Sequence, residues 1–348
     1  MKTKTRMHFF RHLCHYQLWA LCVSFFALCV FSSCSKSEVA GKVSTSDAIA
    51  SVTTAAAAAA LPGQTGYCNV NGSTTGGGAG PTVTVSNLND FRTYATSSSP
   101  YVIRVSGSIN LNGRVAIASN KTIQGVNASA RITGNIYIAN GTTNVIISNL
   151  NITNPDGDGI TIRNGNHVWV DHCAIFDCSD GLADINNQSD YITVSWCKFY
   201  YVNQTAHRFT MILGSVGAEV DGKLHVTLHH NWWGAKCDQR MPSGTQGNAH
   251  LYNNYFSCEG NSYASDARAG SFWYSDYNYY QKVNNPLSEQ LGGKIRVVGN
   301  IYNQCTGKIT KGETTTVAPP PYNYAITPAQ DVPAVVMNGA GPRATPTF

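Results

Sequence analysis

Four aspartates in the middle of the chain have a spacing that suits a metal site. Asp158 and Asp180 lie 22 residues apart, and Asp156 and Asp184 flank them. A lone Asp-Gly pair usually marks a turn, but a repeat of this length would place the four on neighbouring strands about 4.8 Å apart. Carboxylates this close repel one another and raise their own pKa values unless a cation is present. Because ligands that are all oxygen favour a hard cation, the spacing predicts a calcium site.

Basic side chains follow in the next two repeats. His207 and Arg208 come after one strand and Arg240 after the next, so the predicted column of charges changes from acidic to basic. Guanidinium groups beside a metal suit a substrate that carries repeated carboxylates. Simple pairing of the arginines with the aspartates is an alternative. It fits Arg208 better than Arg240, which lies in a loop made rigid by Met241-Pro242.

A repeat of about 23 residues must position these side chains. Strand-like segments begin at spacings of 23, 24, 34, 25, 21 and 23 residues, namely at Val145, Val168, Ile192, Val226, Leu251, Phe272 and Ile295. A propeller blade needs four strands in about 40 residues, and leucine-rich repeats need a leucine framework that this chain lacks. The spacing therefore predicts an all-β solenoid with coils of 22–25 residues, in which equal offsets stack.

Seven cysteines follow residue 34, an odd number that leaves at least one thiol free or paired elsewhere. Cys173 and Cys197 both lie five residues after the start of their strands. We expect them to stack, either as a disulfide or as two buried thiols. No pair of cysteines has the spacing of a zinc site.

Residues 82–305 resemble the pectate lyase branch of the polysaccharide lyases. The matching motifs are specific together, although each is weak alone: Val168-Trp-Val-Asp-His172, Asp180-Gly-Leu-Ala-Asp184, Tyr191-Ile-Thr-Val-Ser-Trp196, Val226-Thr-Leu-His-His-Asn231, Arg240-Met-Pro242 and His250-Leu-Tyr-Asn-Asn254.

This resemblance implies a right-handed parallel β-helix that cleaves α-1,4-polygalacturonate by calcium-dependent β-elimination. It implies that calcium is bound by Asp156, Asp158, Asp180 and Asp184. It places Arg240 at the position of the arginine that abstracts the proton, with His207 and Arg208 as candidates for substrate binding. Asp171 and His172 are interpreted as supporting structure near the site.

Two positions depart from the pattern of the family. Phe209 stands five residues before Gly214, where many relatives have a lysine, and Arg208 beside it could supply that charge. Thr245 stands where a second arginine usually follows the Arg-x-Pro motif. The alternative function is therefore a pectin-binding protein of the same fold with weakened catalysis. A metal-independent pectin lyase acting on methyl esters should lack the carboxylate cluster.

The net charge of +5 comes largely from the N-terminus. Four of the 24 basic residues (Lys2, Lys4, Arg6 and Arg11) lie before residue 34, which leaves 20 basic against 19 acidic residues. Bulk charge therefore gives no case for nucleic acid as a partner. We expect a monomer whose partner is an acidic polysaccharide. Few charges, many glycines and few helix formers are typical of an extracellular β protein.

Residues 1–34 have the order of an export signal: basic residues, an apolar run over 18–31, and a small-residue site. Phe31-Ser32-Ser33-Cys34 resembles a loose bacterial lipoprotein box, so Cys34 is the candidate for lipidation; a plain cleaved signal is the alternative. We expect a tether over 35–66, a β-helix over 67–311 and a Pro-rich strap over 312–348. The protein would be secreted or held at the surface of a bacterium, with a lipid anchor as its only membrane contact.

Overall fold

The computed structural model describes residues 60–312 and 316–348, and Cys34 with its predicted lipid lies outside them. Within these ranges the chain winds into a parallel β-solenoid. One sheet contains ten strands, each parallel to its neighbours: β1 (Thr82–Val85), β2 (Tyr101–Val105), β4 (Lys121–Gly125), β6 (Thr143–Ser148), β9 (Asn166–Asp171), β12 (Asp190–Ser195), β15 (His225–His229), β18 (Gly247–Tyr252), β21 (Ser271–Asp276) and β24 (Lys294–Val298).

A second sheet of fifteen strands closes the coils. It contains β3 (Ser108–Ala116), β5 (Arg131–Ala139), β7 (Asn151–Thr153), β8 (Ile160–Arg163), β10 (Ala174–Phe176), β11 (Ala183–Asn186), β13 (Lys198–Tyr200), β14 (Ile212–Leu213), β16 (Trp232–Trp233), β17 (Ser243–Gly244), β19 (Tyr255–Phe256), β20 (Ser265–Ala267), β22 (Tyr279–Gln281), β23 (Leu287–Glu289) and β25 (Ile301–Asn303). Its two arms meet at β5, so each later coil has three short strands. The predicted parallel β-helix is confirmed.

The register of the strands agrees with the predicted repeat, with two corrections. Val145, Val168, Ile192 and Val226 stack as expected, but the next positions in this column are Ala249 and Trp273, not Leu251 and Phe272. Side chains two residues apart on a strand point the same way, so Leu251 also faces the core and hydrophobicity could not separate it from Ala249. Phe272 points outward and is 42% exposed.

A ladder of buried asparagines closes one turn of successive coils. Asn231, Asn254, Asn278 and Asn300 follow one another, and each amide group of the first three donates to the side-chain oxygen of the next at 2.9–3.2 Å. The same oxygens accept backbone N–H groups of the previous turn. The ladder therefore satisfies backbone groups that would otherwise be buried without a partner.

The predicted stacking of Cys173 and Cys197 is confirmed, and both are buried free thiols. The backbone N–H of Cys173 contacts the Cys197 sulfur at 3.5 Å. All seven cysteines in the described residues are free. Most of them lie within the apolar core of the solenoid, where they pack as small hydrophobic side chains.

The N-terminal end of the solenoid is covered by the helix α1 (Leu88–Ala95), whose Phe91 is fully buried. A single turn at Tyr67–Asn69 lies on the ten-stranded sheet, where the Tyr67 N–H donates to the Thr227 hydroxyl at 2.9 Å. The C-terminal residues 316–348 contact the same sheet, where Tyr322 bonds Thr227 and Phe348 stacks on Trp169. Their helix α2 (Val332–Gly339) packs instead on Tyr255 and Trp232 of the second sheet. These covers leave the turns on the opposite side as the open polar surface.

Among the residues that the structure describes, no helix has the length and apolar character needed to cross a membrane.

Candidate functional site

The predicted site residues lie mainly in one kind of turn, the turn between the second and third strands of each coil. In four successive coils this turn covers residues 154–159, 177–182, 201–211 and 234–242. Parallel stacking brings these turns side by side, about 4.8 Å apart at the strands that flank them. The solenoid therefore assembles side chains that are more than 80 residues apart in sequence.

Asp158 is held firmly between two coils. Its carboxylate accepts the Thr161 hydroxyl at 2.7 Å and the Gly181 N–H of the next coil at 2.9 Å. Asp158 and Asp180 line one open cavity of about 330 Å³, with Asp156 at its rim. The prediction that Asp158 and Asp180 lie on neighbouring rungs is confirmed.

Asp184 lies on β11 rather than in a turn, and its carboxylate accepts the Ile212 N–H at 3.1 Å. Burial raises the pKa of Asp184 well above its usual value, and the charges of Asp158 and Asp180 raise it further. Burial also raises the pKa of Asp158, with Asp180 contributing. Three of the four predicted aspartates are therefore close enough to repel one another, while Asp156 has only the shared cavity in common with them.

The donor set fits a hard cation in its chemistry. The cavity offers carboxylate, hydroxyl and amide oxygens and no sulfur, which is the ligand type that calcium prefers. A divalent cation would relieve the mutual repulsion of the carboxylates. In the described part of the chain, however, no three His, Cys, Asp or Glu side chains are already arranged around a common point for a metal. The carboxylates are thus gathered at one place without a preformed cage.

The His207 side chain is held by contacts with neighbouring residues. Its Nε2 lies 2.9 Å from the Asp180 carboxylate, and both side chains are partly exposed, at 39% and 61%. The imidazole ring also contacts the Phe209 ring, with centroids 4.2 Å apart. His207 thus links the acidic turn to the turn that carries Phe209.

Arg240 is positioned by stacking and by its backbone. Its guanidinium carbon lies 4.5 Å from the centre of the Phe209 ring, and its carbonyl accepts the Met211 N–H at 2.8 Å. The residue has φ of +62°, a left-handed conformation that is uncommon for arginine. The charge of Arg240 partly opposes the rise in the pKa of Asp184, so the cation lies within electrostatic reach of that carboxylate.

Neither Arg208 nor Arg240 forms an ion pair with an aspartate among the described residues. The alternative in which these arginines merely neutralise the acidic cluster is therefore wrong for direct pairing. Arg208 lies near the buried Cys237, whose raised pKa its charge opposes. Arg208 stays a candidate for substrate binding.

A basic residue that the sequence analysis missed lies one coil beyond Arg240. Arg268 follows β20 and pairs with the buried Asp266 at 2.8 Å. It lies 19 residues after Ala249, the same offset at which Thr245 follows Val226. The sequence analysis took Leu251 rather than Ala249 as the strand start, and so it missed that Arg268 and Thr245 occupy equivalent positions. A correct register would have revealed it from the sequence alone.

The fold and the site together define a parallel β-helix whose turns carry an acidic cavity followed by basic side chains. A family model described as pectate lyase matches residues 41–341 of this chain. The chain therefore belongs to the pectate lyase family.

Individual relatives agree with this assignment. The chain is 30% identical to a pectate trisaccharide-lyase of Thermotoga maritima over 314 residues, which cover 77% of this chain and 84% of the relative. It is 40% identical to a pectate lyase of Emericella nidulans over 204 residues. That alignment covers 55% of this chain and about 60% of the Emericella protein.

Solved structures show the same fold. A pectate lyase from Bacillus sp. N165, in complex with trigalacturonate, superposes with a TM-score of 0.72 and covers 81% of this chain and 99% of its own. The major allergen of cedar pollen superposes with a TM-score of 0.69, covering 80% of this chain and 92% of its own. Identities of 24% and 23% make these likenesses evidence for the fold alone.

Proposed function

We propose that this protein is a calcium-dependent pectate lyase that cleaves α-1,4-polygalacturonate by β-elimination. The observation that carries the proposal is the position of Arg240. Its guanidinium is held on Phe209 within electrostatic reach of a group of mutually repelling carboxylates. Membership of the family and the activities of the named relatives support the same substrate class.

The chemistry follows from the substrate. In a galacturonate unit the hydrogen at C5 lies next to the carboxylate, so removal of the proton leaves negative charge that the carboxylate can share. Calcium, if held by Asp158, Asp180 and Asp184, would supply Lewis-acid stabilisation of that charge. Arg240, in its neutral guanidine form, accepts the C5 proton, and the electron pair of the C–H bond forms the C4=C5 double bond. The glycosidic oxygen leaves C4 with the bonding pair and takes a proton from solvent. No water is consumed, unlike hydrolysis by two carboxylates.

A guanidinium group holds its proton tightly, so arginine is a poor base near neutral pH. We therefore expect the rate to increase toward alkaline pH, where the neutral form becomes more accessible.

The test is the ultraviolet absorbance of the unsaturated product when purified protein acts on polygalacturonate. We expect absorbance to increase with added calcium and to vanish with a chelator, and the rate to increase toward alkaline pH. Saturable binding of the polymer without any double-bond absorbance, at any pH and with excess calcium, would contradict the enzyme and support the alternative of a binding protein. Phe209 and Thr245, which replace the usual lysine and arginine, would then be the suspected cause.

The cellular location is a separate proposal that rests on the N-terminal sequence. We infer that the mature chain begins at Cys34, carries lipid there and is held at the surface of a bacterium through the Ser/Thr/Ala-rich segment that follows. Mass spectrometry of the protein from a membrane fraction should show a lipidated Cys34. Cleavage at another residue, with an unmodified Cys34, would contradict this inference.

A further inference from the structure

The guanidinium group of Arg268, next to the candidate site, is held in place by one hydrogen bond, and its terminal nitrogens have no partner among the described residues. The Nε of Arg268 donates to a carboxylate oxygen of Asp266 at 2.8 Å, and Asp266 is completely buried. The terminal Nη1 and Nη2 of Arg268 have no hydrogen-bond partner among the described residues, and the side chain is 39% exposed. The buried Asp266 thus fixes the Nε side of the Arg268 guanidinium, while its two terminal nitrogens remain free to donate.

Free, parallel N–H donors on an immobilised guanidinium match the two oxygens of a carboxylate. Little rotational freedom would be lost on binding, because the contact with Asp266 already orders the side chain. The pair is neutral as a whole, so recognition would depend on directed hydrogen bonds rather than on attraction at long range. A planar carboxylate is therefore the ligand that this geometry favours.

The position of Arg268 connects it to the predicted site. Asp266 stacks on Ser243, which stacks on Ile212, the neighbour of Asp184. Three strand spacings correspond to about 14 Å along the axis of the solenoid. Arg268 lies two residues after Asp266, where the side chain points to the same face of the sheet.

Tyr263 lies between the two arginines. Burial and the charge of Asp266 raise the pKa of Tyr263, and the charges of Arg268 and Arg240 both oppose that rise, because both guanidinium groups lie near the phenol. Arg240 and Arg268 therefore both lie near the Tyr263 phenol.

We propose that Arg268 binds a carboxylate of the acidic polymer one coil beyond Arg240, and so takes over the role left vacant by Thr245. Backbone register places Thr245 beside Arg268 on the adjacent coil, because Gly244 stacks on Ala267. The inference rests on the proposed function for the identity of the polymer. It assigns to Arg268, on the next coil, the contact with a substrate carboxylate that an arginine at position 245 would make.

The test compares Arg268→Gln with wild type. Glutamine can still donate to Asp266, whereas alanine would leave a buried carboxylate without a partner and endanger folding. For Arg268→Gln we expect the KM for polygalacturonate to increase about tenfold or more, the range expected for losing charge-assisted hydrogen bonds, with kcat changed little. The affinity for fully methyl-esterified pectin, measured by calorimetry, should be the same for both proteins, because an ester offers no carboxylate.

Two further variants make the test specific. Arg268→Lys keeps the charge but loses the planar fork, so most of the increase in KM should remain. Thr245→Arg in the Arg268→Gln background should restore much of the affinity, since it returns a guanidinium to the adjacent coil. Arg296→Gln is the matched control: Arg296 lies on the ten-stranded sheet, over Tyr274, and its loss should not change the KM.

Calorimetric binding of polygalacturonate separates this inference from the proposed function. If wild type binds the polymer but makes no unsaturated product, the proposed activity fails, while a tenfold weaker affinity of Arg268→Gln still supports the contact. If wild type is active and Arg268→Gln has an unchanged KM and affinity, the inference is overturned, even if the melting temperature falls. If wild type neither binds nor cleaves the polymer, both are overturned.

Discussion

At the scale of single residues, the stacking of Arg240 on Phe209 determines how the basic side of the groove is built. The ring occupies the place where many relatives carry a lysine, and the guanidinium lies 4.5 Å from its centre. A lysine there would add a second positive charge beside Arg240, whereas a phenyl ring attracts the guanidinium through its electron-rich face. The contact with Phe209 therefore helps to hold the Arg240 side chain in place.

Replacement of Arg240 by lysine tests this placement. We expect Arg240→Lys to lose most of the lyase activity, at least a hundredfold in kcat, while it still binds polygalacturonate. An ammonium group keeps the positive charge but cannot reproduce the planar guanidinium over Phe209. Ultraviolet absorbance measures the activity of this variant, and calorimetry measures its binding of the polymer. A kcat near that of wild type would show that Arg240 does not remove the proton.

At the scale of structural elements, the asparagine ladder supports the coils near the site. Asn254 takes part in four side-chain contacts: it accepts the N–H and amide of Asn231, and it donates to the Leu228 carbonyl and to Asn278. Because the residue is fully buried, water cannot replace these bonds. The ladder thus helps to keep successive turns in register.

We expect Asn254→Ala to lower the free energy of unfolding by about 3 kcal/mol, since it leaves buried donors and acceptors without partners. Chemical denaturation measures this directly. Asn303→Ala is the control, because Asn303 makes one side-chain bond at the less buried end of the solenoid. Equal losses for the two variants would contradict a special role for the ladder.

The C-terminal cover holds a histidine that cannot easily become charged. His230 contacts the Thr327 hydroxyl at 3.2 Å, and burial lowers its pKa to about 4 from 6.5. The unfolded chain therefore binds more protons than the folded chain between these two values. The full contribution of His230 to stability is present above pH 6.5 and decreases as the pH falls toward 4, by roughly 3 kcal/mol in all.

Denaturation curves recorded between pH 7 and 4 test this contribution. The wild-type protein should lose stability over this range, and His230→Gln should lose less, because glutamine does not titrate. The same pH dependence in both proteins would assign the loss to other groups, such as the buried His229, whose pKa burial also lowers.

At the scale of the whole molecule, the chain covers one sheet and leaves the opposite turns open. Residues from both ends of the described chain lie on the ten-stranded sheet. The acidic cavity on the open side carries a repulsion that folding alone does not relieve. The stability of the molecule should therefore depend on a bound cation.

We expect millimolar calcium to raise the melting temperature of the wild-type protein by several degrees, because a ligand that binds only the folded state stabilises it. Asp184→Asn should melt higher than wild type without calcium, since it removes repulsion, and should gain little when calcium is added. Asp221→Asn, an exposed acid outside the cluster, should behave like wild type. An equal calcium response in all three proteins would contradict the assigned site.

The sequence by itself determined the solenoid, because a repeat of about 23 residues has few ways to bury its apolar side chains. It also determined that Asp158 and Asp180 meet on neighbouring coils, since equal offsets must stack. The tertiary structure decided which strand positions are equivalent: Ala249 and Leu251 both face the core, and only backbone pairing selects Ala249. It also decided the contacts of Arg240 with Phe209 and of Arg268 with Asp266, because side-chain direction across coils depends on turn conformation that no spacing specifies.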